Sequence, residues 1–173
     1  QFTELFEHTK KKGGMFISTP FDIQSAKFLC NITPVLKISS SDLTFMPLIT
    51  EVAKTDKPII LSTAFHGISI IENALELISK HREVNTNNTA ILHCVGNYPT
   101  LPEKANLNTI DFYKRKFQNI TIGYSDHTIG TLASEIAVSK GAQIIEKHFT
   151  LDKNFSDFRD HKISADPNEM KEM

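Results

Sequence analysis

Six short apolar runs punctuate the chain: "GMFIST" (14–19), "PVLKIS" (34–39), "KPIILST" (57–63), "TAILHCV" (89–95), "NITIGYSD" (119–126) and "QIIEKHF" (143–149). Each is a few residues long, rich in Ile, Val and Phe, and few alternate cleanly with polar residues. That is how strands covered on both faces read. Helix-period segments lie between them, and no two runs are close enough for a hairpin. A strand that must return parallel to its predecessor needs a crossover, so the order strand–helix, repeated, predicts parallel βα units.

The clearest helix is "SIIENALELISKHRE" (69–83), where Ser69 and Glu72 have capping-box spacing and Ile71, Ala74, Leu75 and Ile78 share one stripe. "TIGTLASEIAVSKG" (128–141) puts Leu132, Ala133, Ile136 and Ala137 on a stripe and stops at Gly141, a C′ glycine. "DIQSAKFL" (22–29), "LTFMPLITEVAK" (43–54) and "NLNTIDFYKRKF" (106–117) are weaker examples. No linker or low-complexity tract interrupts the series, so residues 1–173 read as a single domain.

Two architectures accept such units: an open doubly wound sheet, or a closed (β/α)₈ TIM barrel. No G-x-G-x-x-G or Walker-type loop follows any run, which weighs against the nucleotide-binding open sheets. Polar residues instead gather at the C-terminal ends of all six runs, the end where a barrel builds its active site. The fold class expected is therefore α/β, a partial barrel of about six βα units. The chain opens in what reads as mid-helix, so it is expected to be a segment of something longer.

Composition narrows the function. Hydrophobic residues make up 40%, enough for a core, and 19 basic against 20 acidic residues leave a formal net charge of −1. No electrostatic footprint for nucleic acid or an anionic membrane surface exists, and no apolar stretch approaches the roughly 18 residues that span a bilayer. The start, "QFTELFEHTKKKGG", lacks the order of a signal peptide, and its lysines at 10–12 read as a solvated helix end. Cys30 and Cys94 form neither a disulfide framework nor a CxxC pair. A reducing cytoplasm is the expected location.

Two successive runs finish on histidine, "YSDHT" at His127 and "IIEKHFT" at His148. Alternate residues of a strand share a face. Ser125 and His127 therefore point one way and Asp126 the other; Glu146 and His148 pair likewise, opposite Lys147. If the shared faces line a barrel mouth, two imidazoles converge there. Imidazole suits Mn, Fe, Zn and similar divalent ions, and two histidines leave positions open for water and substrate. Strand-end capping by hydrogen bonds is the competing reading. Lys37, inside "VLKISS", is costly in a buried run unless an anion pairs it. Hydroxyls stand at matching heights around it: Ser18, Thr19, Ser39 to Ser41, Ser62, Thr63 and Ser125. Such a lysine among short donors suits a phosphate group. Ser125-Asp126-His127 cannot act as a hydrolytic triad, since neighbours on a strand do not relay protons in line. His93 and Cys94 point to opposite faces, which rules out a dyad. Tyr98, in "HCVGNYPT", can reach over the mouth or simply pack its loop.

"FISTPFD", "LKISSSDL", "PIILST", "LHCVGNYPT", "IGYSDHT", "IIEKHFTLDKN" and "DHKIS" run in the order found in the sialic acid synthase family, the phosphoenolpyruvate-dependent synthases of N-acetylneuraminate and related nonulosonates. The chain resembles that family over nearly its whole length. The resemblance implies a (β/α)₈ barrel with a small antifreeze-like C-terminal domain, a homodimer, and dependence on Mn²⁺ or Mg²⁺. It implies His127 and His148 as metal ligands and catalytic residues. Lys37, with Thr19, Ser40, Ser62 and Ser125, corresponds to the phosphoenolpyruvate pocket, Lys37 also counting as catalytic. Tyr98, Asp42 and Asp160 correspond to positions near the acceptor, an N-acetylmannosamine-like amino sugar.

Set against that pattern, this stretch is expected to lack the first two strands and the C-terminal domain. Gly96 stands where Asn or Ser is common two residues before the loop Tyr, Ala64-Phe65 where Gly-Met is common, and "NFSDFRDHK" replaces a Pro-Gly-Pro-Asp-His-Lys run. Two other readings remain open at this point: another phosphoenolpyruvate-dependent 3-deoxy-ulosonate synthase, and a truncated chain that binds metal and anion without turnover.

Overall fold

The structure is a computed structural model describing residues 1–173. Its helices are α1 (Phe2–Lys11), α2 (Ile23–Cys30), α3 (Met46–Ala53), α4 (Ile68–Ser79), α5 (Asn108–Lys116), α6 (Leu132–Ser139), α7 (Arg159–Ile163) and α8 (Pro167–Glu172). Its strands are β1 (Leu36–Ile38), β2 (Ile59–Ser62), β3 (Thr89–Cys94), β4 (Thr121–Asp126) and β5 (Ile145–Lys147), hydrogen-bonded in the order β1-β2-β3-β4-β5. No strand neighbour lies out of chain order, as successive βα units require. The chain divides into two compact units, residues 1–62 with 66–90, and residues 63–65 with 91–173.

The count of strands corrects the sequence expectation. Residues 14–20 carry no regular structure, and Met15 and Ile17 are largely exposed. A strand exists only where its amides and carbonyls find a ladder partner, and the observed sheet begins at β1. Five of the six runs form strands.

In the first unit β1 and β2 pair in parallel, with Leu36, Lys37 and Ile38 opposite Ile59, Ile60 and Leu61. Leu36, Ile38, Ile59 and Leu61 are almost fully buried, and they form the face toward the helices. Lys37, Ile60 and Ser62 therefore share the other face, by the period of two. α4 buries Ile71, Ala74, Leu75 and Ile78, the stripe its sequence predicts. Its start differs: Gly67 is the N-cap and no side chain caps it, so Ser69 and Glu72 do not form the expected box. α2 is capped by Asp22, whose carboxylate accepts from the Ser25 amide at 2.8 Å.

In the second unit the same alternation sorts β3 and β4. His93 donates from Nε2 to the Ala105 carbonyl at 2.8 Å and stacks on Tyr124 with ring centroids 5.7 Å apart, so both face the helices. Gly123 points the other way, where a Cβ would come within 2.5 Å of Leu92 Cδ2 and 2.6 Å of the Ile144 carbonyl oxygen. Only glycine lets the two strands approach so closely there. α6 ends in a Schellman arrangement: Gly141, at φ +93°, donates to the Val138 carbonyl and Ala142 to that of Ala137. The buried face of α6 is Ala133, Ser134 and Ala137, so the expected stripe holds at Ala133 and Ala137 and fails at Leu132, 67% exposed, and Ile136, 38% exposed.

Candidate functional site

Parallel pairing in β4–β5 sets Ser125 opposite Glu146 and Asp126 opposite Lys147. On the helix-facing side Lys147 Nζ lies 3.0 Å from Asp126 Oδ2, with side chains 1% and 0% exposed. Asp126 also accepts from Ser134 Oγ at 2.8 Å and from the Thr128 amide at 2.8 Å, while Lys147 donates to the Thr128 carbonyl. Both charges are thus neutralised and hydrogen-bonded, the condition for burying them. On the opposite face Ser125 Oγ donates to Glu146 Oε1 at 2.7 Å.

Two residues beyond Ser125 and Glu146, on the same face, the imidazoles of His127 and His148 meet with centroids 5.5 Å apart. His127 is held at both nitrogens. Nδ1 sits 2.6 Å from the Val95 carbonyl oxygen, which can only accept, so Nδ1 carries the proton. Nε2 then has a lone pair and takes a hydrogen bond from Tyr98 Oη at 2.9 Å. Burial holds the His127 pKa below its usual value, against the raising effect of the Val95 contact; His148 lowers it further. Neutral imidazole with a backbone-fixed tautomer is the form that binds metals.

Tyr98 packs on both rings, 4.0 Å from His127 and 5.5 Å from His148 by centroid. Burial, with smaller effects from Cys94, Asp160 and Glu146, pushes its hydroxyl up to about 12. It is a hydrogen-bond donor at neutral pH and not a base. Asp160 Oδ2 lies 3.9 Å from His148 Nδ1, and the Arg159 guanidinium stands 5.0 Å above the Tyr98 ring.

Ser125, Tyr98, His127, His148 and Asp160 therefore gather in the second unit. The first unit carries Thr19, Lys37, Ser40, Asp42 and Ser62. Within it Ser39 and Ser41 are turned to the Asp42 carboxylate, at 2.5 and 3.2 Å, and are committed there. The Ser40 carbonyl accepts from His66 Nε2 at 2.8 Å. Ser62 Oγ is buried with no hydrogen-bond partner, on the face it shares with Lys37. Thr63, grouped with the hydroxyl donors by sequence, instead donates to the Leu92 carbonyl and contacts Tyr113 Oη. Glu146, Arg159 and the Val95 carbonyl join the site beyond the sequence expectation. Glu146 was recoverable from its shared face with His148; the other two have no local sequence signal.

Two imidazoles this close, one with its tautomer fixed, fit a divalent ion. No group of three His, Cys, Asp or Glu residues forms around them, so such an ion would complete its shell with water or substrate oxygens.

Comparison with known proteins follows the same line. The NeuB family model matches residues 1–173. An uncharacterised protein of Methanocaldococcus jannaschii is 48% identical over the whole chain, which covers 50% of that protein. The N,N′-diacetyllegionaminic acid synthase of Campylobacter jejuni is 43% identical over 97% of the chain and 50% of its own length. Among solved structures, the N-acetylneuraminic acid synthetase of Leptospira borgpetersenii, in complex with citrate, superposes with a TM-score of 0.91 at 35% identity, over 99% of this chain and 60% of that one. The chain has the fold class of a partial (β/α) barrel. It spans about half the length of the curated relatives it matches.

Proposed function

The chain belongs to the NeuB family, the sialic acid synthase family that its motifs resemble, and from that premise we propose that it supplies active-site residues for a condensation of phosphoenolpyruvate with an N-acetylmannosamine-like amino sugar. The products are a sialic acid or related nonulosonic acid and inorganic phosphate. Carbon 3 of phosphoenolpyruvate bonds to the aldehyde carbon of the open-chain sugar, whose oxygen gains a proton. Water adds to the resulting cation at carbon 2, and phosphate leaves by C–O cleavage. No enzyme nucleophile is needed.

The observation that carries this reading is the meeting of His127 and His148 at 5.5 Å, with Tyr98 donating to His127 Nε2. The lone pair of His127 Nε2, once released from the Tyr98 hydrogen bond, and the His148 imidazole would hold a Mn²⁺ or Mg²⁺ ion, which when bound supplies Lewis acidity toward the aldehyde oxygen. Tyr98, protonated and half-buried against both rings, would then turn its hydroxyl proton from His127 to a substrate oxygen. Glu146 is oriented by Ser125, and Asp160 stands beside His148 to steady its ring. Lys37 and Ser62, on one face of the first unit, offer a cation and a hydroxyl to the phosphate. A homodimer and a cytoplasmic location belong to the same reading. No helix of the chain is long and apolar enough to cross a membrane.

The test is phosphate release by purified protein carrying this sequence, given Mn²⁺, phosphoenolpyruvate and N-acetylmannosamine. Release is expected, and His127→Ala and His148→Ala should each abolish its metal-dependent part and weaken Mn²⁺ binding by calorimetry. Release only with a phosphorylated aldose would favour a 3-deoxy-ulosonate synthase. Near-normal rates and Mn²⁺ affinity in both variants would overturn the assignment.

A further inference from the structure

Phe65 and Gly96, two positions where the chain departs from the pattern it otherwise resembles, turn out to touch. A Cβ built on Gly96 would lie 1.8 Å from Phe65 Cζ, 2.2 Å from Cε1 and 2.5 Å from Cε2. Position 96 has no room for a side chain because the ring already occupies that space. Phe65 itself has φ +68°, left-handed backbone that a bulky residue rarely adopts. The residue is 78% exposed, so burial of its ring in this chain does not offset that strain.

The location gives the pairing a consequence. Gly96 follows Val95, whose carbonyl accepts a hydrogen bond from His127 Nδ1, and precedes by two residues Tyr98, whose hydroxyl donates to Nε2. The ring therefore lies on the loop that holds His127 at both nitrogens. Strained residues concentrate at ligand contacts, and an exposed aromatic face accepts methyl and C–H groups in preference to hydroxyls. Gly96 supplies no side-chain donor, and with the ring in place none can be added.

We propose that Phe65 is a specificity-determining residue for the acceptor, its ring receiving an apolar substituent of the amino sugar, such as an N-acyl methyl, in place of a hydroxyl. This rests on the condensation proposed above and names the class of sugar it takes. Gly96 acts through Phe65, as the position that lets the ring lie where it does.

The experiment uses the wild-type protein, Phe65→Ala, Gly96→Ser and the double variant, with N-acetylmannosamine and N-glycolylmannosamine, which differ by one hydroxyl on the acyl methyl. Losing one apolar contact should lower kcat/KM for the acetyl sugar roughly tenfold in Phe65→Ala. The loss should fall on the acceptor KM, leave the phosphoenolpyruvate KM unchanged and flatten the preference for acetyl over glycolyl. Gly96→Ser should do the same by displacing the ring, and the double variant should be no worse than either single change. Saturation-transfer NMR, irradiating aromatic protons, should show transfer to the acetamido methyl in wild type and less in Phe65→Ala. An unchanged acceptor KM with undiminished methyl transfer overturns the proposal while leaving the condensation intact. Absence of phosphate release in wild type overturns the condensation, and the transfer measurement then still decides the role of Phe65.

Discussion

Asp126 and Lys147 form a buried ion pair at 3.0 Å on the face of β4–β5 opposite the two histidines. The pair fixes strand register at the point where register matters most. Slipping β5 by one residue against β4 would turn Lys147 to the other face and carry His148 away from His127. Removing one partner leaves a buried charge without its counter-ion, which costs about 3–5 kcal/mol. Lys147→Met should lower stability by that order in urea unfolding and abolish turnover. Asp126→Asn/Lys147→Met should be milder in stability than Lys147→Met alone. A Lys147→Met protein of wild-type stability would remove the pair from the account.

The tyrosines give a second prediction, at alkaline pH. The chain has three, Tyr98, Tyr113 and Tyr124. Burial holds all three hydroxyls above the ordinary value near 10, Tyr98 at about 12. Nearby Asp126 adds to the effect at Tyr124, and a hydrogen bond with Thr63 partly opposes it at Tyr113. A folded pKa above the unfolded one means the unfolded state loses protons first. Stability from these groups is complete below pH 10 and falls as pH rises above it. Ultraviolet titration should show little tyrosinate near pH 10 and then a rise coincident with unfolding. A normal titration of all three near 10 would contradict their burial.

The α4 stripe was legible in the sequence because a helix packed on one face repeats its burial every three to four residues. The α6 stripe was legible only at Ala133 and Ala137. Ser134 is drawn inward by Asp126, eight residues away and on a strand, and a polar tether of that kind leaves no trace in hydrophobic period. Residues 14–19 have the composition of a strand, but a strand is completed by its neighbour and not by its own residues. At the site, strand alternation was enough to bring His127 and His148 to one face. The Val95 carbonyl that fixes the His127 tautomer is a main-chain atom, and residue identity says nothing of it. The contact of Phe65 with Gly96 spans two loops, so each looked like an isolated oddity.

Acid should act through the buried imidazoles. Desolvation holds His93 below its ordinary value, more strongly than its bond to the Ala105 carbonyl raises it, and His127 is shifted the same way. With a folded pKa below the unfolded one, the unfolded chain takes up protons first. The stability held by neutral imidazole is whole above about 6.5 and is lost as pH falls through that value. The melting temperature should therefore decline between pH 7 and pH 5. His93→Gln, which keeps a donor for Ala105, should be less stable at pH 7 but lose less on acidification. An equal decline in both proteins would exclude His93 as a source of acid sensitivity.

Ser62 separates folding from function most cleanly. Its hydroxyl is buried and lacks a partner within the chain. An unpaired buried hydroxyl costs on the order of 1–3 kcal/mol. Replacing it with a methyl-sized group removes that cost and leaves almost no cavity. Ser62→Ala should therefore melt at the same temperature as wild type or higher. If the hydroxyl is retained because it meets the phosphate beside Lys37, the same change should raise the phosphoenolpyruvate KM and leave the acceptor KM alone. The two measurements, differential scanning fluorimetry and initial rates against phosphoenolpyruvate, pull in opposite directions only for a ligand-facing group. A lower melting temperature with an unchanged KM would instead make Ser62 an ordinary packing residue and withdraw it from the anion site.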